Sequence, residues 1–407
     1  MTTLRQKLAL ATCALVTGGA QAVEQNWAVD TSYLSYTESN NRVAVSKTLA
    51  NLTRTLNDGN VTVNLVHDTM SGASPTGAIR SSDSAVTFSS ASGGGGFAAS
   101  TDSDYSLSPF EDTRIQFGLS REQLKSRALT FSYGGVVSQE SDYDSMGANV
   151  GVKRESTNKL STVSASFAAT FDSIYRSDSG TTPQPLRDVN RELEYGKGQR
   201  NTFDSVLGVT RVLNRNTLMQ VNASLGLSQG YHSDPYKIIS AADENDRILA
   251  NFHDSRPESR LRSSLFAKVV HQLQGSRNSI HLSYRLYQDS WGIASNTADF
   301  RYHHQLTRKQ YLEPHVRLYR QNAADFYQRK LSVDDQLNPV MPEDGFASAD
   351  YRLDALTSAT LGVKYGFSIT RNTDMRIRAE YVSQLFDNSD YGTNTAVVLQ
   401  TSLKYRF

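Results

Sequence analysis

The residues of this chain that could do chemistry are charged and imidazole side chains at alternate positions of extended stretches. Twelve form a set: Arg262, Lys268, His281, Arg285, Arg301, His303, Glu313, His315, Arg317, Arg376, Arg378 and Glu380. Apolar residues such as Leu265, Ala267, Val269, Leu282, Val316 and Ile377 stand between them. Successive side chains of a strand point to opposite faces, so the twelve share the face turned from the apolar one. Two readings stay open. The set lines a polar pore or binding cavity with a cationic bias, or it is compensated charge packing a narrow lumen.

Metal and hydrolase chemistry are both weaker. His303 and His304 are adjacent, so they face opposite sides of a strand and cannot chelate one ion together. His281, His303 and His315 could share one inner wall, but spacing alone supplies no ligand distances, and no metal ligands are assigned. No Gly-x-Ser-x-Gly motif is present. Ser71-Gly72-Ala73-Ser74-Pro75 reads as a turn, or a loop folded back into a barrel mouth, rather than a nucleophile. Gly93 to Gly96 is followed by no strand-helix unit, so it is no phosphate-binding loop. No threonine-based flavin attachment motif occurs. The expectation is a protein with no catalytic residues and no cofactor. The alternative is an outer-membrane enzyme with its site at the extracellular rim.

The elements that must position these side chains are long strands. Trp27 to Glu38 and Arg42 to Leu56 are the first two. Asn57-Asp58-Gly59-Asn60 is a hairpin turn into Val61, Val63 and Leu65. Further strands carry Ile115, Phe117 and Leu119; Leu129, Phe131 and Tyr133; Ala148, Val150 and Val152; and Val163, Phe167 and Phe171. The second half repeats the pattern from Phe203 to the C-terminus. Long polar stretches fall near 69–108, 173–200, 230–260 and 322–350. All four follow odd-numbered strands. Tight turns follow even-numbered ones, around Asn57, Lys125, Thr157, Asn214, Ser276, Arg308 and Asn372.

That alternation is what an antiparallel barrel needs when one rim faces the periplasm and the other the exterior. The spacing predicts an all-β fold: a transmembrane antiparallel up-and-down barrel of about 16 strands, with short periplasmic turns and long extracellular loops. Strands of a soluble β-sandwich average about five to six residues, whereas these run to about ten or more, the length a tilted strand needs to cross a bilayer.

Both termini agree. Arg5 and Lys7 precede an apolar run from Leu8 to Val16, and Ala20-Gln21-Ala22 is a small-x-small cleavage site. Residues 1–22 read as a Sec-type signal peptide and residues 23–407 as the barrel. Cleavage would remove Cys13, the single cysteine, leaving no disulfide or thiolate chemistry. At the other end, Val397, Leu399, Thr401, Leu403, Tyr405 and Phe407 alternate with mostly polar residues. Leu403, Tyr405 and a terminal Phe407 resemble the assembly signal of bacterial outer-membrane barrels. That resemblance implies the barrel-insertion machinery and outer-membrane lipid as partners.

Composition excludes other classes. The 42 basic and 41 acidic residues form no basic stripe, so nucleic acid is not an expected partner. Mean hydropathy is −0.47, and no apolar window after the leader is long enough for a spanning helix. A barrel remains open, because half of each strand faces a polar lumen.

Five fragments resemble a bacterial family, domain of unknown function 3570. They are Asp68-Thr-Met-Ser-Gly-Ala-Ser-Pro75, Pro109-Phe-Glu-Asp-Thr-Arg114, Ser233-Asp-Pro-Tyr-Lys237, Tyr319-Arg-Gln-Asn-Ala-Ala-Asp-Phe-Tyr327 and Ala349-Asp-Tyr-Arg-Leu353. The resemblance implies an outer-membrane barrel acting as a channel or membrane scaffold. It also implies a link to envelope redox chemistry, with periplasmic lipoprotein or flavoprotein partners. It carries no catalytic residues.

Overall fold

A computed structural model describes residues 27–79, 88–89, 96–97, 107–191 and 194–407. The expected signal peptide, residues 1–22, and Gly93 to Gly95 lie outside the described residues. Sixteen long strands form the wall. The first eight are β1 (Trp27–Glu38), β2 (Val43–Leu56), β3 (Gly59–Pro75), β4 (Leu107–Ser126), β5 (Leu129–Gln139), β6 (Tyr143–Glu155), β7 (Ser161–Ile174) and β8 (Gly198–Asn214). The second eight are β9 (Thr217–Gly230), β10 (Ser259–Gln272), β11 (Ser279–Asp289), β12 (Ala294–Gln305), β13 (Gln310–Gln321), β14 (Leu356–Ser368), β15 (Thr373–Phe386) and β16 (Thr393–Arg406).

Each strand pairs with its chain neighbours, and β16 pairs antiparallel with β1 from Ala28↔Arg406 to Glu38↔Ala396. The sheet therefore closes into the expected up-and-down barrel and leaves no edge. The only helical segments among the described residues are three short 3-10 turns. At the seam, the Phe407 amide donates to the Trp27 carbonyl at 3.0 Å. The Tyr405 and Phe407 rings meet edge to face at 4.8 Å.

The alternation sorts the faces. Leu207, Leu225, Leu282, Leu318, Leu361 and Leu399 all stand exposed on the outside, with Leu361 at 60%. In water such a band would be costly, and in a bilayer it is the favourable surface. The barrel wall thus contributes little to the buried apolar core.

Most of that core lies where the long connections meet. These connections run 76–106, 175–197, 231–258 and 322–355, so three of the four are shorter than the sequence suggests. Ser71 to Pro75 is no turn: it is the extended end of β3, paired with residues 107–111 of β4. Gly72 makes this possible. Its φ is +123°, and a Cβ there would lie 1.6 Å from the Arg42 carbonyl oxygen, which instead accepts from the Ala73 amide at 2.8 Å.

β3 and β4 have 17 and 20 residues, more than a bilayer crossing requires, and so form a raised wall at the long-connection rim. A cap is built within this rim. A hairpin, Ile238–Ala242 with Ile248–His253, buries Ile239, Ala241 and Phe252 against Leu331, Ala347 and Ala349. A second cluster joins Trp291 and Ile293 to Ala324, Phe326 and Leu353. A third packs Leu356, Phe386 and Tyr391 against Tyr351. Short backbone bridges lock the connections together, among them Asp188↔Phe252, Ala241↔Leu331 and Ser255↔Ala347.

Candidate functional site

The lumen face follows from cross-strand register. One row runs Lys268↔Ser283↔Asp299↔Arg317↔Thr360 across β10 to β14. The next row runs His281↔Arg301↔His315↔Gly362↔Glu380 across β11 to β15. His303 and Glu313 lie one position-pair nearer the short turns. All twelve sequence-selected residues take the strand face opposite the exposed apolar side chains.

Ten of them line two adjoining cavities, and His303 bonds to Glu313, which lines one. A cavity of about 200 Å³ touches Arg301, Tyr311, Glu313, His315, Lys364, Arg376, Arg378 and Glu380. Its charges are matched. Lys364 Nζ donates to Glu313 Oε1 at 2.6 Å, and His303 lies 3.4 Å from Glu313 Oε2. Both His315 ring nitrogens face carboxylates, Asp299 at 2.8 Å and Glu380 at 2.9 Å. Arg376 donates to both Asp30 oxygens at 2.9 Å, and Arg378 sits 3.5 Å from Glu380.

The neighbouring cavity, about 170 Å³, touches Lys268, His281, Arg285, Asp299, Arg301 and Arg317. His281 Nε2 lies 3.0 Å from the Ser279 hydroxyl. Arg262 stands apart from both cavities and donates to Asp204 at 3.1 Å. The three histidines do not gather: each has its own oxygen partners. The one group among the described residues with metal-ligand spacing is Asp112, Glu140 and Asp142 at the rim.

Inward-facing charges on the far wall are well solvated. Asp204 keeps 48% of its side-chain surface, Lys153 44% and Glu122 43%. A packed lumen would strip such groups of water at a cost of several kcal/mol each. Sixteen strands enclose an interior wide enough for an aqueous space.

The cap carries a second charged cluster, one that the strand pattern does not reveal. Lys237 donates to the Ser74 hydroxyl at 3.0 Å and to the Pro75 carbonyl. Asp350, fully buried, accepts from Arg256 at 2.9 Å and from Arg352. Arg352 also reaches Asp234 at 2.6 Å, and Arg256 bonds Asp254 at 2.6 Å. Burial pushes the Lys237 ammonium below its ordinary pKa, with the Asp350 and Asp234 charges opposing. Gln321 donates to the Arg352 and Asp354 carbonyls at 3.1 and 2.7 Å. At the rim wall, Arg114 pairs with Asp68.

These contacts unite the five sequence fragments. Asp68 to Pro75, Ser233 to Lys237, Tyr319 to Tyr327 and Ala349 to Leu353 meet in the cap, and Pro109 to Arg114 forms the wall beside it. Ser74 therefore has a structural partner in Lys237. Asp30, Asp204 and Asp299, acids that the sequence set omitted, complete the lumen pairs. Their alternation with Val29, Phe203 and Phe300 was the available signal.

A closed barrel with an apolar outer band, a polar solvated lumen and one rim of long connections defines an outer-membrane β-barrel protein. The family described as "Protein of unknown function (DUF3570)" matches residues 5–404, and the chain belongs to that family. A comparison with curated protein sequences finds no match. Among solved structures, the CymD monoaromatic hydrocarbon channel is 8% identical, with 95% of this chain and 89% of that one covered and a TM-score of 0.42. A bacterial polysaccharide outer membrane secretin is 9% identical, with 95% and 99% covered and a TM-score of 0.47. The outer membrane protein opdK from Pseudomonas aeruginosa is 7% identical, with 94% and 99% covered and a TM-score of 0.41.

Proposed function

We propose that this protein is a water-filled outer-membrane channel for small hydrophilic solutes, with a mouth narrowed by the cap. The observation that carries this reading is the solvation of inward-facing charge at Asp204, Lys153 and Glu122. Charges in a closed lumen would be buried, as Glu313 and His315 are on the opposite wall. Liposome swelling tests it. Vesicles holding the refolded barrel should swell in small neutral sugars, more slowly as the sugar grows. Vesicles that do not swell in any of them would favour a membrane scaffold, whose cap and lumen serve only to hold partners.

A further inference from the structure

The two adjoining lumen cavities differ in electrostatics: one is charge-matched and the other has an excess of cations. In the larger one each cation has an acid: Lys364 has Glu313, Arg376 has Asp30 and Arg378 has Glu380. In the smaller one, Lys268, Arg285, Arg301 and Arg317 face a single carboxylate, Asp299. That carboxylate is already engaged by His315 at 2.8 Å and lies 3.2 Å from Arg301. Lys268, Arg285 and Arg317 have no carboxylate within ion-pair distance among the described residues. Arg285 leans over the Phe266 ring at 5.6 Å instead.

We infer that the cavity between β10 and β13 is a binding site for a small multivalent oxyanion of the phosphate or carboxylate class. This deepens the channel reading and rests on it for the ligand's route. Like charges gathered on one wall repel each other, and a bound anion removes that repulsion. Register sets the geometry. Lys268 and Arg317 share a row with Ser283 and Asp299 between them, and Arg285 lies in the adjacent row nearer the cap. Cations therefore stand at both ends of the row, and the one acid between them, Asp299, is already engaged by His315 and Arg301. Guanidinium forks present paired N–H donors that match the oxygens of carboxylate and phosphate, which a halide cannot use as fully. Arg285 and Arg317 are both exposed to the lumen, so an arriving anion meets them first. The hydroxyls of Ser283 and Thr297 line the same space as neutral donors.

The test is calorimetric titration of the refolded barrel in detergent, at low ionic strength, with inorganic phosphate and with citrate in separate runs. At least one anion should bind. Lys268→Gln/Arg285→Gln/Arg317→Gln should weaken it at least about tenfold, the loss expected for removing charged donors. Arg376→Gln, which breaks a pair in the neighbouring cavity, should leave it unchanged. If the triple variant fails to refold, Arg285→Gln alone carries the comparison, because that side chain stands in open water. Failure of both anions to bind overturns the site, as does undiminished binding by the variants. Binding without solute passage would keep the site and overturn the channel, whereas passage without binding would do the reverse.

Discussion

Arg352 Nη2 lies 2.6 Å from Asp234 Oδ2 and joins two connections 118 residues apart in sequence. One leaves β9 and the other leaves β13. The same guanidinium bonds Asp350, and Asp350 is shared with Arg256. An exposed ion pair contributes little, but the Asp350 carboxylate is fully buried and has no substitute for these donors. The cap is therefore held by a charge network at its centre as well as by its apolar clusters.

Removing the shared acid should open the cap locally. Asp350→Ala leaves Arg256 and Arg352 without their common partner, at a local cost of roughly 3–5 kcal/mol. Hydrogen exchange of residues 234–254 should accelerate, while the strand amides of β10 to β16 stay protected. Unchanged exchange in the cap would show that its apolar clusters suffice.

Acid should act in the same direction. Burial pushes the Asp350 carboxyl up, but Arg352, Arg256 and Lys237 outweigh it and hold it far below the ordinary value. A carboxylate held low in the folded state contributes stability above its unfolded pKa of about 3.9, and that contribution declines as pH falls below it and is lost only when the much lower folded value is passed. Asp254 opposes this in part, since burial raises its pKa. Trp291 packs edge to face on Phe326 at 5.2 Å and reports on the cap. In a Trp27→Phe background, the urea concentration that shifts its emission to the red should be steady from about pH 5 to 8 and fall progressively below about pH 4. A urea midpoint unchanged from about pH 6 down to about pH 2 would contradict the network's role.

The two faces of β14 should respond differently to charge. Val363 is 41% exposed on the outer face, where an arginine at the bilayer midplane costs about 2–4 kcal/mol. Lys364 points inward and is bonded to Glu313 at 2.6 Å. Val363→Arg should lower the yield of heat-modifiable barrel, and Lys364→Gln should leave it close to native. Lys364→Glu is the harsher change, because it brings two carboxylates together. Equal yields from Val363→Arg and Lys364→Gln would mean that the alternation does not separate a lipid face from a lumen face.

Orientation follows from the connections. Single cysteines at Ser179, Glu244 and Asp335, all exposed on long connections, should label on intact cells. Cysteines at Asn57 and Arg215, exposed in short turns, should label only after the outer membrane is opened. The opposite pattern would invert the barrel.

The wall was legible in the sequence and the cap was not, for a physical reason. A strand that separates lipid from water must alternate, so Leu361, Val363 and Tyr365 announce their face within a few residues. Register then follows from tight turns such as that at Asn214, whose side chain accepts from the Asn216 amide at 2.9 Å. The cap has no such period. Its core draws Ile239, Phe252, Leu331 and Ala347 from segments rich in polar residues, and only tertiary contact makes them one cluster. One local signal was present: Asp243 accepts from the Asn245 and Arg247 amides at 2.9 Å, closing the hairpin between Ile239 and Phe252. In the lumen, the basic residues were visible from alternation, but Asp299 gained its meaning only when register placed it between Arg301 and His315.

Single-channel recording in planar bilayers tests the hollow lumen most directly. Heat-modifiable barrel should insert with discrete upward current steps, and Asp350→Ala, with its loosened cap, should stay open longer than the native protein. Properly folded protein that inserts yet gives no steps, in both the native form and Asp350→Ala, would contradict a water-filled channel.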